Sequence, residues 1–563
     1  MSGSKSSRRK SFSSGTLFQG RRAQLQLHFI VVGGGICGLA AAFSLANAGH
    51  RVTVLEQAPS LRRPSSGMHL PPNLNKLLYQ WGLGNKVEAV TLPSEGMQFH
   101  TYTSGKKVGY MKWDDEVLEA FGADYPIVNH SDLYKLIYDA AIGAGVTVRF
   151  GARVTAVHPR TPSVTLSSGQ VMTADYIVGA DGHQSLVREV IVKDQLPRPR
   201  EVPAFSGCIV YSGNIPGHLM RRDPELRPLL EYSGTMTWMG AYRHAVGYPV
   251  SPSPPLPHLH QYLSPHTHGP PLIDPEPNPD HTLSPNLNLN LMYLNGVRNE
   301  YCLHFYNMDD THTEQFWKVI DRPKDDPGLN RNTRGCDPIL RKLINLLPSA
   351  IRVKDVARRH EREWVHRGGK VILLGEAAHP TMVFPFPLST IFAITYIDHA
   401  PQQPCLAQGA ATGIEDSVVL GSLFSRVRSR DQIPMFLRAY QELRQERCLA
   451  VQANERNLLM TFWIPEGPEQ RARDDDMGFA ATLGEGRFDM REGICLAQWE
   501  GAKNLYGYDA SDEAEAWYVE WGMLADRATN AANGASGGGA VMKMNVPMMS
   551  VTTTTVTVSV EYS

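Results

Sequence analysis

The sequence predicts an α/β fold that carries a second, strand-rich domain and ends in helices. Near the start, an apolar strand runs into three glycines and an alanine-rich helix within residues 28–49. Short strand-like segments fill residues 191–355, and alternating strand and helix patterns return after residue 371. A helical pattern follows in residues 433–523. With 563 residues, 42% of them hydrophobic, the chain is long enough for two or three domains.

Charge and composition favour a small-molecule partner. Lys and Arg total 55 against 56 for Asp and Glu, and the formal charge of -1 gives no electrostatic basis for binding nucleic acid. No apolar run reaches the length of a transmembrane segment. The seven cysteines are dispersed singly, which indicates a reduced, cytoplasmic protein. The basic residues 1–27 are predicted to be a disordered tail, with mitochondrial targeting as the alternative.

A glycine motif joins the first strand to the first helix. The strand HFIVV begins at residue 28, the helix ICGLAAAFSLAN at residue 36 and the next strand RVTVL at residue 51. Between the first two, Gly33, Gly35 and Gly38 form GxGxxG. The first glycine permits a tight turn, the second lets the backbone approach a pyrophosphate, and the third permits close contact between helix and strand. The spacing predicts a Rossmann-type nucleotide site at the start of this helix.

An acidic residue after the second strand indicates which nucleotide binds. Glu56 follows the third glycine of the motif by 18 residues. At this position a carboxylate can accept hydrogen bonds from both hydroxyls of an adenosine ribose, and it would repel a 2′-phosphate. The site is therefore predicted to hold FAD or NAD rather than NADP.

Two later motifs point to a family. The first is DYIVGADGHQSLVR, residues 175–188, which contains Asp181 and Gly182. The second begins as GEAAHP at residue 375 and continues, after an apolar stretch, as PCLAQG at residue 404. Together they resemble the motifs of the FAD-dependent aromatic-ring hydroxylases, the group A flavoprotein monooxygenases, and in particular their fungal, salicylate hydroxylase-like branch.

The resemblance implies the residues of the cofactor site. In this family the Asp-Gly pair lies where FAD and the nicotinamide nucleotide pass, the acid of the later motif holds the ribityl chain, and the Gln-Gly helix directs amides at the flavin. The residues so assigned to FAD are Gly33, Gly35, Gly38, Glu56, His130, Asp181, Gly182, Gly375, Glu376, Pro404, Gln408 and Gly409. Two of them depart from the family pattern, because Glu376 stands where Asp is usual and His130 where Arg is usual. No metal site is expected.

The resemblance also implies a fold and a reaction. The fold would be that of p-hydroxybenzoate hydroxylase, in which a Rossmann-type FAD-binding domain carries an inserted mixed β-sheet substrate domain and C-terminal helices. NADH or NADPH would reduce the FAD, and O2 would supply the oxygen atom that is added to a phenolic or hydroxybenzoate-like ring. If that ring carried a carboxylate at the attacked carbon, carbon dioxide would be released.

Three side chains are candidates for the substrate pocket. His244 and Tyr248 lie in the strand RHAVGYP, and because alternate residues of a strand share a face, they are expected to point the same way. His69, in SGMHLPPN, is expected near the flavin. We predict that His244 or His69 acts with Tyr248 as the base for a phenol.

Other functions are compatible with the same motifs. The flavin could serve the epoxidation or hydroxylation of a polyketide or terpenoid in secondary metabolism, which an apolar pocket would favour. A non-catalytic FAD-binding protein is a further alternative, suggested by His130 and Glu376. A one-domain dehydrogenase is disfavoured, because the motifs at Asp181 and Glu376 would then be coincidences.

The predicted domains follow the motifs, and two stretches interrupt them. The FAD-binding domain comprises residues 28–190 and 356–432, the substrate domain 191–355 and the helical region 433–523, while residues 524–563 are a disordered tail. The interruptions are the proline-rich residues 250–296 and the apolar residues 383–403. Removing either stretch restores the family spacing, so each is either a retained intron or a loop peculiar to this chain.

Deleting residues 383–403 tests the intron interpretation. We expect the shortened protein to purify with near-stoichiometric FAD and the full-length chain with little, because the stretch separates two halves of one cofactor site. The visible absorption spectrum of each purified protein measures the bound flavin. Equal flavin in the two proteins would identify the stretch as a tolerated loop.

Overall fold

The computed structural model describes residues 17–61, 66–193, 204–250, 300–308, 317–357, 361–380, 408–482, 494–524 and 526. The apolar stretch 383–403, Pro404, all but the first residue of the proline-rich stretch 250–296, and most of both predicted tails lie outside these residues. The chain divides into a large compact unit that ends at Glu515 and a second unit that begins at Ala516. In the second unit, a π-helical turn spans Tyr518–Gly522, and the Tyr518 hydroxyl donates a hydrogen bond to Asp526 at 2.7 Å.

Strands and helices alternate through the first part of the chain and helices dominate its last part. The strands are β1 (His28–Val32), β2 (Arg51–Leu55), β3 (Gly67–His69), β4 (Thr91–Leu92), β5 (Gly96–Thr101), β6 (Lys107–Lys112), β7 (Ile127–Asn129), β8 (Thr147–Arg149), β9 (Val154–His158), β10 (Ser163–Leu166), β11 (Val171–Thr173), β12 (Tyr176–Gly179), β13 (Ala204–Pro216), β14 (Thr235–Gly240), β15 (Arg243–Pro249), β16 (Glu300–Met308), β17 (Trp317–Asp321), β18 (Ser349–Ala357) and β19 (Val371–Leu373). The helices are α1 (Ile36–Asn47), α2 (Pro72–Gln80), α3 (Gly84–Glu88), α4 (Asp115–Phe121), α5 (His130–Gly143), α6 (Leu186–Lys193), α7 (Gly217–Met220), α8 (Arg227–Glu231), α9 (Pro327–Asn332), α10 (Pro338–Leu346), α11 (Gln408–Phe424), α12 (Ile433–Phe462), α13 (Pro468–Thr482), α14 (Ile494–Tyr506) and α15 (Ala510–Trp517).

A parallel sheet forms the nucleotide-binding core. Its strand order is β19-β12-β1-β2-β8, and each neighbouring pair is parallel. Parallel strands are buried on both faces, which explains why HFIVV and YIVG are almost continuously apolar. Because parallel strands share one carboxyl edge, the loops after β1, β12 and β19 meet there. The predicted Rossmann-type α/β fold is confirmed.

A second, mixed sheet carries the substrate domain. Its order is β17-β18-β13-β16-β15-β14-β5-β6, and its neighbouring strands are antiparallel except for β14 and β5. One face packs on α10, whose apolar side chains Leu340, Leu343 and Ile344 are fully buried, together with Trp238 and Phe305 of the sheet. The centre of this sheet is buried on both faces, since the last six residues of β15 are all buried.

Residues 96–112 belong to the second sheet, which differs from the predicted domain boundary. Residues 96–112 were assigned to the FAD-binding domain, but β5 and β6 lie in the second sheet, where β5 pairs with β14 from Thr235↔Met97 to Met239↔Thr101. The pairing supplies β14 with backbone partners on its otherwise open side. Sequence position alone could not reveal this, because the paired residues are more than 130 positions apart.

A second difference from the prediction concerns the amino-terminal tail. Residues 17–27 were expected to be disordered, yet the Phe18 ring is 5% exposed and lies where a Cβ on Gly421 would meet it at 2.7 Å. The amide of Ala23 donates to the Ala48 carbonyl at 2.8 Å, and that of Gln24 to the Val427 carbonyl at 2.9 Å. Burial of a single aromatic ring anchors this otherwise basic segment.

The C-terminal helices pack against the part of the second sheet that β14 and β5 form. Phe462, at the end of α12, and Trp463 are buried with Phe99 of β5 and Met239 of β14. None of the helices within the described residues has the length and apolar composition that crossing a membrane requires.

Replacing Phe18 tests whether the amino-terminal segment is part of the folded unit. We expect Phe18→Ala to lower the free energy of unfolding by about 3 kcal/mol, because it leaves a cavity against α11. Denaturant unfolding measures the change, with Gln19→Ala, at an exposed neighbouring position, as the control. Equal stability of the two variants would show that the ring contributes no packing energy.

Candidate active site

The loop after β1 has the shape of a phosphate cradle. Gly33 has φ +102°, and a Cβ there would lie 2.3 Å from the Ala180 carbonyl oxygen. A Cβ on Gly38 would lie 2.0 Å from the Gly33 oxygen, so neither position accepts a larger residue. A Cβ on Gly35, in contrast, would meet no atom within 4 Å. The open space in front of Gly35, at the start of α1, fits the pyrophosphate of a dinucleotide.

Glu56 is held by the backbone around the cradle. Its side chain is buried, and its two oxygens accept hydrogen bonds from the amides of Gly34 at 2.8 Å and Ala58 at 2.7 Å. The two bonds fix the orientation of the carboxylate beside the glycine loop.

His130 begins α5 close to the same loop. Its amide donates to the Ser66 carbonyl at 3.0 Å, and its ring is half-buried. One turn later, the Tyr134 hydroxyl donates to the Gly34 carbonyl at 2.8 Å. The packing of α5 therefore places the first turn of the helix, and His130 with it, at the cofactor end of the sheet.

Asp181 caps the helix that follows it. Its carboxylate accepts hydrogen bonds from the Ser185 hydroxyl at 2.5 Å and from the amides of Leu186 at 2.8 Å and Val187 at 3.2 Å. Burial raises the pKa of Asp181, although these hydrogen bonds oppose the change. Gly182 has φ +73°, and a Cβ there would lie 3.9 Å from the Glu376 carboxylate. The two family motifs are therefore neighbours in space.

Arg188 links these two motifs. Its buried guanidinium donates to the carbonyl oxygens of Ala377 at 2.6 Å, Glu376 and His183 at 3.3 Å. The side chain of Glu376 itself is exposed beside this link. This role of Arg188 was not predicted, because contacts to main-chain oxygens leave no signature in the sequence.

The later motif turns at Gly375. This residue has φ +61°, and its amide donates to the Asp416 carboxylate at 2.9 Å. A Cβ there would lie 3.1 Å from the Cβ of Cys37 in the first turn of α1. The turn therefore brings β19 against the glycine loop and joins it to α11.

The N-terminus of α11 contains polar groups without partners. Gln408, its first residue, is fully buried, and its Oε1 accepts a hydrogen bond from the Asn73 amide at 3.1 Å. Within the described residues, Gln408 Nε2 and Asn73 Oδ1 are buried without a hydrogen-bond partner. Gly409 follows and is half-buried. Buried polar atoms without partners fit a site that a polar ring such as the flavin pyrimidine completes.

A buried ion network lies behind this helix. The guanidinium of Arg444 donates to Asp416 at 2.8 Å and to Glu415 at 2.7 Å, and all three side chains are fully buried. His379 contacts Asp416 at 2.6 Å, and Arg447 contacts Glu415 at 3.2 Å. The network connects α11, α12 and the loop after β19.

The network sets the protonation states of its members. Burial alone would raise the pKa of Asp416, but the charges of His379 and Arg444 outweigh it and lower that pKa to about 2. The pKa of His379 is raised well above its usual value, because Cys448 and Asp416 outweigh the opposing effect of burial. Although His379, Asp416 and Cys448 lie close enough to hold a metal ion, Asp416 already accepts bonds from Arg444, His379 and Gly375. The arrangement is therefore explained by ion pairing.

The substrate candidates lie on one face of the second sheet. His244 and Tyr248 of β15 are paired with Tyr306 and Cys302 of β16, and Val246 between them is paired with His304. His244 and Tyr248 have the common orientation that the strand period predicted. They do not hydrogen-bond each other.

His244 is a hydrogen-bond donor rather than a base. The Trp463 indole, which can only donate, bonds to His244 Nδ1 at 2.7 Å. Burial lowers the pKa of His244 to about 3, so the ring is neutral and carries its proton on Nε2. The ring also stacks on Tyr306, with centroids 4.2 Å apart and an interplanar angle of 7°. This corrects the predicted role of His244 as a base, since a neutral ring in this tautomer has no free lone pair.

Tyr248 and His69 are in ring contact. Their centroids are 4.3 Å apart, and His69 Nε2 lies 2.7 Å from the Thr235 hydroxyl. Burial lowers the pKa of His69 to about 3 and raises that of Tyr248 well above its usual value. The Tyr248 hydroxyl lies 2.7 Å from His304 Nε2.

His304 and Tyr306 were missed by the sequence analysis. Their signal is the alternation in YCLHFY, which places Cys302, His304 and Tyr306 on one face of a strand. That this strand is the partner of RHAVGYP was hidden, because the proline-rich stretch separates them in the chain.

Comparison with known proteins agrees with this geometry. Residues 26–205 match the FAD_binding_3 family, described as an FAD binding domain. The FAD-dependent monooxygenase OpS4 of Beauveria bassiana is 25% identical over 489 residues, which cover 86% of this chain and 95% of that relative. The 3-amino-4-hydroxybenzoate 2-monooxygenase PtmB3 of Streptomyces platensis is 27% identical over 455 residues, which cover 80% of this chain and 93% of that relative. A salicylate hydroxylase–substrate complex superposes with a TM-score of 0.56 at 15% identity, covering 87% of this chain and 96% of that one, which shows the shared fold.

Neutralising Asp416 tests the buried network. We expect Asp416→Asn to lower the free energy of unfolding by about 3 to 5 kcal/mol near pH 6, because it leaves Arg444 and His379 without one of their counter-charges. The pKa of the carboxylate is lower in the folded protein, so its contribution is present above the ordinary value of 3.8 and is lost as the pH falls toward about 2. Denaturant unfolding of both proteins at several pH values measures the difference.

The matched control is Asp475→Asn, at an exposed position of α13. It should leave the stability within about 0.5 kcal/mol of the starting value. A difference between wild type and Asp416→Asn that stays constant from pH 6 down to the acid limit would contradict the ion-pair account.

Proposed function

We propose that this chain, which is an FAD-dependent monooxygenase, hydroxylates a phenolic or hydroxybenzoate-like ring with O2 and reduced nicotinamide nucleotide. The proposal extends to decarboxylative hydroxylation when the ring carries a carboxylate at the attacked carbon. A cytoplasmic location is part of the proposal.

One observation carries this proposal. Helix α12 contacts both the later motif and the imidazole face: the side-chain amide of Gln452 donates to the Pro380 carbonyl at 3.0 Å, and Trp463, directly after the helix, donates to His244 at 2.7 Å. Glu455 lies between these two residues, and its carboxylate accepts a hydrogen bond from the backbone of Gln408 at the start of α11. A ring bound against His244 and Tyr306 would thus lie on the side of the sheet that α12 joins to the cofactor motif.

The glycine loop, Glu56 and the start of α11 together fit FAD. The cradle at Gly35 would take the pyrophosphate, Glu56 the adenosine ribose, and the unpartnered amide of Gln408 a polar atom of the flavin. When bound and reduced, FAD supplies the activation of O2. The protein's part is to bind the aromatic ring, orient it and exclude water.

The polar groups of the face have separate roles. His244 offers Nε2–H as a donor to an oxygen of the substrate, and Trp463 and Tyr306 fix its ring. Tyr248 and His69 approach each other at the other end of the face. Neither imidazole can hold a phenol proton at neutral pH, because burial lowers the pKa of both to about 3. The Tyr248 hydroxyl can instead hydrogen-bond the oxygen of a substrate phenol.

The convergent polar groups favour an aromatic substrate over the alternatives. An apolar pocket would suit the tailoring of a polyketide or terpenoid, whereas this face presents a phenol and imidazoles. A non-catalytic FAD-binding protein would have no need of a buried face that carries these polar groups.

Turnover with candidate phenols tests the proposal. The purified holoprotein is mixed with NADH or NADPH and with salicylate or 3-amino-4-hydroxybenzoate, and nicotinamide oxidation is followed together with incorporation of labelled O2. We expect at least one phenol to stimulate oxidation and to gain one oxygen atom. Tyr248→Phe should lower kcat/KM by about 100-fold, and Tyr138→Phe, on α5, should not change it. Bound FAD without phenol-stimulated oxidation would favour the non-catalytic alternative.

A further inference from the structure

The reaction proposed above uses a reduced nicotinamide nucleotide as well as FAD. The glycine loop and Glu56 fit FAD, so the second nucleotide needs a binding place of its own. The structure offers one in a part of the fold to which neither the sequence analysis nor the comparisons assign a role.

A polar cavity lies where the start of α5 meets the second sheet. Its volume of about 310 Å³ is at the lower end of the range for ligand pockets. Its polar lining comes from the junction of β7 with α5 and from β13, β16 and β18. The residues that form this lining are Asn129, Ser131, Ser212, Asn214, Glu300 and Ser349.

The cavity lies between the nucleotide site and the face proposed to bind substrate. On one side His130 opens α5, and one turn later the Tyr134 hydroxyl donates to the Gly34 carbonyl of the glycine loop at 2.8 Å. On the other side the Ser212 hydroxyl lies 2.8 Å from Nδ1 of His304, an imidazole of the substrate face. A ligand bound in the cavity would therefore lie between the two sites that the reaction brings together.

Glu300 and Asn214 leave two acceptor oxygens at this cavity. The side-chain amides of Asn214 and Asn129 donate to Glu300 Oε2 at 2.8 Å and 3.3 Å. Only the NH2 group of an asparagine can donate to a carboxylate, so these bonds fix the orientation of the Asn214 amide. Its Oδ1 is buried, and within the described residues it has no hydrogen-bond partner. In the same part of the chain, both bonds to the Glu300 carboxylate go to Oε2 and none reaches Oε1.

A primary carboxamide on a flat ring has the complementary groups. Its NH2 group has two N–H donors, one for each of the acceptor oxygens of Glu300 and Asn214, whereas a hydroxyl has only one. Its carbonyl oxygen can accept a hydrogen bond from a serine hydroxyl of the lining, such as that of Ser131. Val319 and Ile351, which are paired across β17 and β18, add apolar side chains for the ring. The nicotinamide ring carries such a carboxamide.

We propose that this cavity binds the nicotinamide carboxamide of the reduced nucleotide, with Glu300 and Asn214 as the acceptors for its NH2 group. The inference rests on the proposed function, which requires that nucleotide. Glu300 and Asn214 hold the ring in place and take no part in the transfer of hydride.

Nucleotide binding to the holoprotein tests this site. The anaerobic holoprotein is mixed with rising concentrations of NADH, or of NADPH if this reduces the flavin faster, and with the matching reduced 3-acetylpyridine nucleotide. In that analogue a methyl group replaces the NH2 group of the carboxamide. The loss of flavin absorbance gives a Kd for each nucleotide separately from the limiting rate of reduction. We expect wild type to bind the carboxamide nucleotide about 10-fold more tightly, because the analogue leaves both acceptor oxygens unpaired.

Glu300→Gln reverses the hydrogen-bonding pattern without changing the shape. Asn214 and Asn129 must still donate to an oxygen, so the new amide turns its own NH2 group toward the NH2 group of nicotinamide. We expect the Kd for the carboxamide nucleotide to rise about 10-fold and that for the analogue to stay within about 2-fold, with unchanged flavin content. Glu231→Gln, the matched change at the exposed end of α8, should alter neither Kd.

A second variant tests the cavity by its shape. Ser349 is exposed at the edge of the cavity, a position at which a large side chain can be accepted without disturbing the core. Ser349→Phe places a ring in the opening. Both nucleotides should then bind about 10-fold more weakly, because both rings are excluded equally. Unchanged binding of both would contradict the assignment.

The outcomes separate this site from the proposed function. If wild type binds both nucleotides equally, or if Glu300→Gln keeps the preference for the carboxamide nucleotide, the cavity is not the nicotinamide site and the proposed function stands. If the preference changes as expected but no phenol gains an oxygen atom, the cavity assignment stands and the proposed hydroxylation fails. If neither NADH nor NADPH reduces the flavin, both are overturned.

Discussion

The arrangement of the site depends on one buried guanidinium. Arg444 is fully buried and pairs with Asp416 and Glu415, which are adjacent on α11. Through Asp416 it reaches His379 and the amide of Gly375. A buried ion pair adds little net stability compared with apolar packing, but losing one partner is costly. Arg444 and its two carboxylate partners act here by orienting the site. Asp416 binds the amide of Gly375 as well as Arg444, so the turn that carries Glu376 is fixed relative to α11.

The face proposed to bind substrate contains strands from both halves of the chain. The strand pair β5 and β6 comes from within the nucleotide-binding half of the chain, yet it completes the sheet that carries His244 and Tyr248. His69 follows the same pattern, since it belongs to β3 and lies against Thr235 of β14. His69 therefore joins this face from the nucleotide-binding half of the chain.

The nucleotide site could be predicted because it depends on local sequence. The roles of His244 and His304 could not, because they depend on residues far away in the chain. A tight turn and a close helix contact require glycine, so Gly33 and Gly38 were evident from spacing alone. The role of His244 was not evident from the sequence, because its tautomer is set by the indole of Trp463, 219 residues away. His304 was missed for the same kind of reason, since its strand is separated from its partner by a long stretch of chain. Patterns with period two or period 3.6 report local structure and burial, whereas pairing and protonation depend on neighbours in space.

The strand order of the nucleotide sheet has a consequence for synthesis on the ribosome. β19, at residues 371–373, is the neighbour of β12, which ends at residue 179. While nearly two hundred further residues are made, a nascent chain therefore carries β12 with one unpaired edge. During that time the glycine loop after β1 also lacks the turn at Gly375 that packs against it. Open apolar edges of this kind are sites of aggregation and chaperone binding. The cofactor site becomes available to a nucleotide only late in translation, which ties flavin loading to completion of the chain.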